Sequence, residues 1–300
     1  MWRFVHLTDP HLASPRDGEW NNLFLCSMMP EVMACLRRDL AALQPDFIFA
    51  TGDIASQQTR EAVFEARDLM DSLGIPYYPM GGNHDFVLPE SRQWFLEAYH
   101  AHLPMPETHY AFQHKNLRFI ALDPWWKWTD GSLSQFSEAA VAERMETGLG
   151  GARWVIPPAQ LRWLARTLSE QAATPTIIGT HYPALPIPIR MRRPAFRDGG
   201  CLDNGEDLLN LLSGHRQVKA LFSGHVHLHF IERNNGIAHI VTGALPEYPV
   251  EYRVVDVFPD RLEIRTCALS DPQFAARSLL PGKSWTRGEE EDRTATIRLV

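Results

Sequence analysis

Along the first eighty residues, short apolar runs alternate with segments whose apolar positions recur every three or four residues. Phe4-Val5-His6-Leu7 reads as a strand. A helix opening at Pro30, a residue favoured in a first turn, puts Val32, Leu36, Leu40 and Leu43 on one face. The continuous run Phe47-Ile48-Phe49-Ala50 has the character of a strand covered on both sides. Val63, Ala66, Leu69, Met70 and Leu73 line a second helix, ended by Gly74 and Pro76. Tyr77-Tyr78-Pro79-Met80 gives a third, short strand. Strand, helix, strand, helix at this spacing predicts an α/β sheet covered by helices.

The second half repeats the theme with longer insertions. Arg118 to Leu122, Thr176 to Gly179 and Val218 to Phe222 read as strands, and Pro158 to Leu168 as a helix with Leu161, Leu164 and Leu168 inward. From Ile237 the helical period stops. Ala238 to Val241, Tyr252 to Val257 and Leu262 to Arg265 then read as consecutive strands, which predicts a second sheet packed on the first within one domain over residues 1–270. Residues 124–152, rich in tryptophan and glycine, and 183–200, rich in proline and arginine, read as excursions from strand ends. Long loops of this kind are more often functional than accidental. Residues 271–300 read as a tail: a solvated linker through Glu289-Glu290-Glu291-Asp292, then a last strand from Thr294.

Composition narrows the class. With 45% apolar and 22% charged residues among 300, the chain can bury a sizeable core. A net charge of −7 argues against a general grip on nucleic acid. No apolar run approaches the roughly 18 residues of a membrane-spanning helix, and Met1-Trp2-Arg3-Phe4 enters a strand at once, without a secretory leader. Cys26, Cys35, Cys201 and Cys267 are scattered and read as reduced, small buried hydrophobes. These features place the protein in the cytoplasm and leave self-association open.

Polar residues able to bind metal sit where the strands end: Asp9-Pro10-His11, Gly52-Asp53, Gly82-Asn83-His84-Asp85, Thr180-His181 and Gly224-His225-Val226-His227. Ligands of open α/β sheets collect at the carboxyl ends of strands, so the five segments can converge on one crevice. Asp, His and Asn without Cys suit Mn, Fe, Zn, Co or Ni. Seven candidates, Asp9, His11, Asp53, Asn83, His181, His225 and His227, exceed what one catalytic ion with an open position needs, and they suit two divalent metal ions per chain.

The ordered set D-x-H, GD, GNHD, H and GHxH resembles the signature of the calcineurin-like binuclear metallophosphoesterase superfamily. Among its branches, the Thr-His-Tyr-Pro stretch and the helix from Asn204 before GHxH are most similar to class III cyclic nucleotide phosphodiesterases. The resemblance implies a four-layer αββα sandwich of two mixed sheets flanked by helices. It implies that Asp9, His11 and His227 hold one metal, that Asn83, His181 and His225 hold the other, and that Asp53 bridges them. A hydroxide shared by the two ions, about 3.5–4 Å apart, would attack phosphorus, while His84 meets the phosphate or protonates the leaving oxygen. Asp85 would orient His84 or cap the next segment.

Other residues carry weaker signals. Trp125, Trp126 and Trp128 read either as a lid for a base or lipid chain or as packing of their own excursion. Arg190, Arg192 and Arg193 could meet a substrate phosphate or merely solvate a loop, and Tyr182 and Asn204 are further substrate-contact candidates. His6 reads as a core residue beside the centre and His229 as a non-ligand. His100, His102, His109, His114, His215 and His239 read as surface or turn residues. The expected activity is hydrolysis of a phosphodiester, of a small cyclic nucleotide first. A nucleotide-sugar or lipid pyrophosphatase with an interfacial contact, or a general phosphomonoesterase, stands as the alternative. A nuclease or a metal-free scaffold is disfavoured.

Overall fold

The computed structural model describes all residues except 57–58, 87, 130–131, 136–153 and 194–199, with backbone alone for 127–129 and 132–135. In chain order, the first half contains β1 (Trp2–Leu7), β2 (Gly18–Glu19), β3 (Leu23–Phe24), α1 (Met29–Leu43), β4 (Phe47–Ala50), α2 (Arg60–Asp71), β5 (Tyr77–Pro79), α3 (Ser91–Tyr99), β6 (Tyr110–His114), β7 (Leu117–Leu122), β8 (Trp126–Thr129) and β9 (Ser132–Gln135). The second half contains α4 (Pro158–Glu170), β10 (Thr176–Thr180), α5 (Gly205–Ser213), β11 (Val218–Ser223), β12 (Phe230–Asn234), β13 (Ile237–Val241), β14 (Glu251–Val257), β15 (Arg261–Ala268), α6 (Gln273–Ser278) and β16 (Thr294–Arg298).

Two six-stranded sheets result, one ordered β16-β15-β14-β1-β4-β5 and the other β12-β13-β11-β10-β7-β6. In the first, β1, β4 and β5 run parallel at one edge and β14, β15 and β16 are antiparallel; in the second, β13, β11, β10 and β7 run parallel in the middle with antiparallel β12 and β6 at the edges. Strand alternation explains why the runs carry apolar residues at every position. Phe47 and Phe49 point into the layer between the sheets, where they meet Phe4, Phe119 and Phe222. Ile48 and Ala50 point the other way, into the layer shared with helices. Phe119 and Ala121 against Ile120 and Leu122 repeat the pattern in the second sheet. Sheets back to back with helices outside make the α/β sandwich.

The helices follow from local signals. Pro30 stands at the start of α1, which buries Val32, Met33, Leu36 and Leu40 and ends on Gln44 in the left-handed region. The Thr59 hydroxyl accepts the Ala62 N–H and caps α2, whose buried face is Ala62, Val63, Ala66 and Met70.

Three expectations are corrected. The strands after Ile237 do not make up the second sheet by themselves: β13 joins β11 there, while β14 and β15 return to pair beside β1. Period-2 apolarity marks a strand without saying which sheet it enters. Second, the last strand expected from Thr294 is present as β16, but it pairs with β15 and extends the first sheet, so the tail is not set apart at residue 270. Nor is the acidic run wholly solvated. Asp292 is fully buried, accepting from Arg190 Nη2 at 2.5 Å and from the Ile231 N–H at 2.8 Å. Third, His239 lies buried within β13, and burial pushes its imidazole down to about 4.

Phe119 packs against Phe4, Phe47 and Phe112 at ring separations of 5.2, 5.2 and 4.9 Å. Truncation to alanine should cost about 3–5 kcal/mol of unfolding free energy, read from urea titration. A loss below about 1 kcal/mol would show that the layer between the sheets does not hold them together.

Candidate metal centre

Strand ends from both sheets meet at one place. Asp9 and His11 follow β1, Asp53 follows β4 and Asn83 follows β5, all from the first sheet; His181 follows β10, and His225 and His227 follow β11, from the second. Cross-loop bonds stitch the segments together: Asp9 N–H to Gly52 O (2.9 Å), His11 N–H to Asp53 O (3.0 Å) and Gly224 N–H to His181 O (3.0 Å). Asp9, His11, Asp53, His225 and His227 all have positive φ, between 45° and 66°. That conformation is rare for residues with a Cβ and costs roughly 1–3 kcal/mol each. Two glycines permit the closeness. A Cβ on Gly224 would lie 2.1 Å from Asp9 Oδ2, and one on Gly82 would lie 2.2 Å from Asp53 Oδ1.

Each carboxylate divides its oxygens. Asp9 Oδ2 accepts from the Thr8 hydroxyl (2.6 Å) and the His225 N–H (3.0 Å), which leaves Oδ1 for the centre, 3.1 Å from His227 Nε2. Asp53 Oδ1 accepts the His84 N–H at 2.8 Å, while Oδ2 faces His181 Nε2 at 3.2 Å and His11 Nε2 at 3.9 Å. Asn83 Oδ1 lies 3.2 Å from His181 Nε2 and 3.1 Å from His225 Nδ1. Three groups of possible ligand atoms each fall within 4.8 Å: Asp9, His11 and His227; Asp53, His181 and His225; and His11, Asp53 and His84. Asp53 and His11 each belong to two of them, and of the pair only Asp53 carries a carboxylate able to bridge.

The imidazoles are oriented from behind. His181 Nδ1 donates to Thr51 O at 2.8 Å, and His227 Nδ1 donates to the buried Glu247 carboxylate at 2.7 Å. Each Nε2 is thereby turned toward the centre. His11 Nε2 and His227 Nε2 then face each other at 3.3 Å, beside Asp9 Oδ1. Lone pairs crowded this way repel unless a proton or a cation lies among them. Burial opposes charge on His181, yet Asp53 and Asp9 outweigh it and raise the imidazole to about 9. His227 rises to about 10 for the same reason, with Asp9 and Glu247 overcoming burial. Burial also opposes charge on Asp9, and His181 and His227 still hold it well below the usual carboxylate range. A buried set of oxygen and imidazole donors that demands positive charge fits divalent cations, and without thiolates it fits borderline or hard ones.

Other candidates fall in different places. The Tyr182 ring lies 3.8 Å from that of His225 and its hydroxyl 3.4 Å from Asn83 Oδ1, so it borders the centre from within the core. Trp125 is no lid. It is buried, stacks on Trp154 and Tyr182 at 5.4 and 5.8 Å, and donates its indole N–H to Phe86 O. The side chain of Trp128 lies outside the described residues. Asn204 clamps the backbone of Ile156 on both sides, at 3.0 and 2.9 Å, a structural task. Arg190 is held by Glu232 and Asp292 on β12 and the tail, and Arg193 lies over the Trp285 ring at 4.8 Å. Asp85 does not orient His84. Its carboxylate accepts the N–H groups of Ile54, Ala55 and Gly82, tying the loop after β4 to the loop after β5. Burial, then Asp53, pushes it up to about 7. His6 bridges the Thr51 and Thr242 hydroxyls at 2.8 Å each, in the core beneath the centre. His229 is fully buried near Glu251, outside the three groups of ligand atoms.

Sequence reading missed two neighbours. Glu247 lies twenty residues beyond the last motif, and no local signal pairs it with His227. Trp20, on the β2–β3 turn, stands with its ring 4.4 Å from that of His227.

Among solved structures, a dimetal phosphatase from Danio rerio superposes with a TM-score of 0.68 at 18% identity, covering 90% of this chain and 97% of that one. A 3′,5′-cyclic-nucleotide phosphodiesterase of Nostoc sp. is 25% identical over 79% of this chain and 75% of its own. A protein of Arcobacter nitrofigilis named "probable glycerophosphodiester phosphodiesterase" is 27% identical over 82% and 79%. Residues 3–229 match the family described as calcineurin-like phosphoesterase. With that match spanning most of the chain and a binuclear divalent metal centre built from its Asp and His clusters, this protein belongs to the calcineurin-like phosphoesterase family.

Proposed function

We propose that the chain hydrolyses a phosphodiester of a small organic molecule, a 3′,5′-cyclic nucleotide before a glycerophosphodiester. The observation that carries this reading is the division of labour within the two carboxylates. One oxygen of each is fixed by the protein, and the other is aimed, with imidazole nitrogens, at a single buried point. Asp9, His11 and His227 would hold one cation, Asn83, His181 and His225 the other, and Asp53 would be shared. Two divalent ions held by these residues would acidify water and neutralise charge developing on the phosphoryl oxygens. Manganese, iron, zinc, cobalt and nickel all suit the donors.

The chain's own groups do the remaining work. Thr51 and Glu247 keep the His181 and His227 rings in register. His84 is anchored by its N–H to Asp53, and its half-buried ring stands edge-on to His11 at 4.7 Å. From that position it would donate a proton to the departing oxygen. The relatives' names support a diester over a monoester, and the Arcobacter relative favours glycerophosphodiesters as the second reading. Among the described residues no helix is long and apolar enough to cross a membrane. Four free cysteines support a reducing compartment, the cytoplasm.

Manganese-loaded protein should cleave bis-p-nitrophenyl phosphate in preference to p-nitrophenyl phosphate. His84→Ala should lower kcat on the diester by about 10²–10⁴-fold, the range of a lost acid–base group, with metal content retained. Monoester preference contradicts the diester reading, and loss of metal from the variant makes His84 a ligand instead.

Glu247→Gln keeps an acceptor near His227 but removes the charge. Metal affinity, measured by chelator competition, should fall about 10–100-fold. An unchanged affinity would mean that Glu247 does not set the His227 ring.

A further inference from the structure

The segment between β2 and β3 has a contradictory build: its polar residues are buried and its largest apolar one is not. Asn22 is fully buried and Asn21 nearly so, whereas Trp20 leaves 43% of its surface open to solvent. The anchoring is dense. The Asn22 N–H donates to the Glu247 carboxylate, its side-chain amide donates to Lys283 O and the Thr286 hydroxyl at 3.2 Å each, and its Oδ1 accepts the Leu280 N–H at 2.9 Å. The Asn21 amide reaches Val226 O, between the two histidines of the last motif. Phe24, on β3, packs against the rings of His11 and His227 at 5.2 and 5.1 Å.

The anchors aim Trp20 at the metal centre. Its ring is 4.4 Å from that of His227 and 6.1 Å from that of His225, one residue from each half of the donor set. An aromatic surface fixed by buried hydrogen bonds has little conformational entropy left to lose when a flat ligand covers it. Trp125 and Tyr182 cannot offer such a surface, because they are buried against each other.

We propose that Trp20 is a specificity-determining residue whose open surface receives the planar organic group of the substrate, a nucleobase or aryl ring, while the phosphate lies at the cations. The assignment rests on the phosphodiesterase reading and adds the residue that makes its choice of substrate: through Trp20, esters whose alcohol carries a flat ring are preferred over aliphatic ones. Because Glu247 holds both the Asn22 N–H and His227, the wall that reads the ring and the ligand beside it share one support.

The test compares the unsubstituted protein with Trp20→Ala and Trp20→Phe, all manganese-loaded, on cyclic AMP and on glycerophosphoethanolamine. In Trp20→Ala the ratio of kcat/KM for cyclic AMP to that for glycerophosphoethanolamine should fall at least tenfold, chiefly through KM, and Trp20→Phe should restore much of it. By calorimetry, adenosine 5′-monophosphate should lose about ten- to a hundredfold in affinity, the scale of one base–aromatic stack, and inorganic phosphate far less. An unchanged ratio, or equal losses for both substrates and for both ligands, overturns the assignment while leaving the diesterase reading intact. Absence of diester hydrolysis by the unsubstituted protein overturns the reading and the assignment together.

Discussion

Two ionised carboxylates with almost no exposure can exist side by side only if positive charge is delivered to them. Asp9 and Asp53 are 0% and 2% exposed, and the histidines around them take up that demand, His181 and His227 holding protons far above the usual imidazole range. Divalent cations held there would meet the same demand with more charge, in place of those protons. Most other features of the centre serve to keep donors packed against one another despite their repulsion. Five residues accept left-handed backbone, two glycines vacate the space of a Cβ, and the strand ends of two sheets are bonded loop to loop.

The sandwich makes this affordable in structural terms. Parallel strands from each sheet end at the same edge, so donors separated by more than two hundred residues, Asp9 and His227 among them, meet there. Behind them lies a continuous polar frame. Thr51 uses its carbonyl for His181 and its hydroxyl for His6, Thr242 joins His6 to the fully buried Arg253, and Arg253 donates to the Asp292 carbonyl in the tail. The tail is therefore part of the scaffold under the centre, through β16 and through Asp292, and not an appendage to it.

Much of this was legible in the chain. Metal-competent residues announce themselves because each follows an apolar run, and the doubly apolar strands declare a sheet covered on both faces. What stayed hidden depends on long-range pairing. Tyr110–His114 and Phe230–Asn234 are flanking strands with partly polar faces, so their pattern resembles loop. Glu247, Asn22 and Trp20 matter through contacts made only when the hairpin folds against the loop after β11. Arg190 looked available for an anion because its partners, Glu232 and Asp292, are 42 and 102 residues away. Trp125 looked like a lid because sequence shows where a tryptophan sits along the chain, not whether its ring faces outward.

The most direct measurement is metal content per chain after reconstitution with manganese and removal of loosely held ions. Two bound ions per chain are predicted, since Asp9, His11 and His227 form one group of donors and Asp53, His181 and His225 another. One ion or none at saturation would contradict a paired centre and leave the crowding of His11, His227 and Asp9 without its explanation.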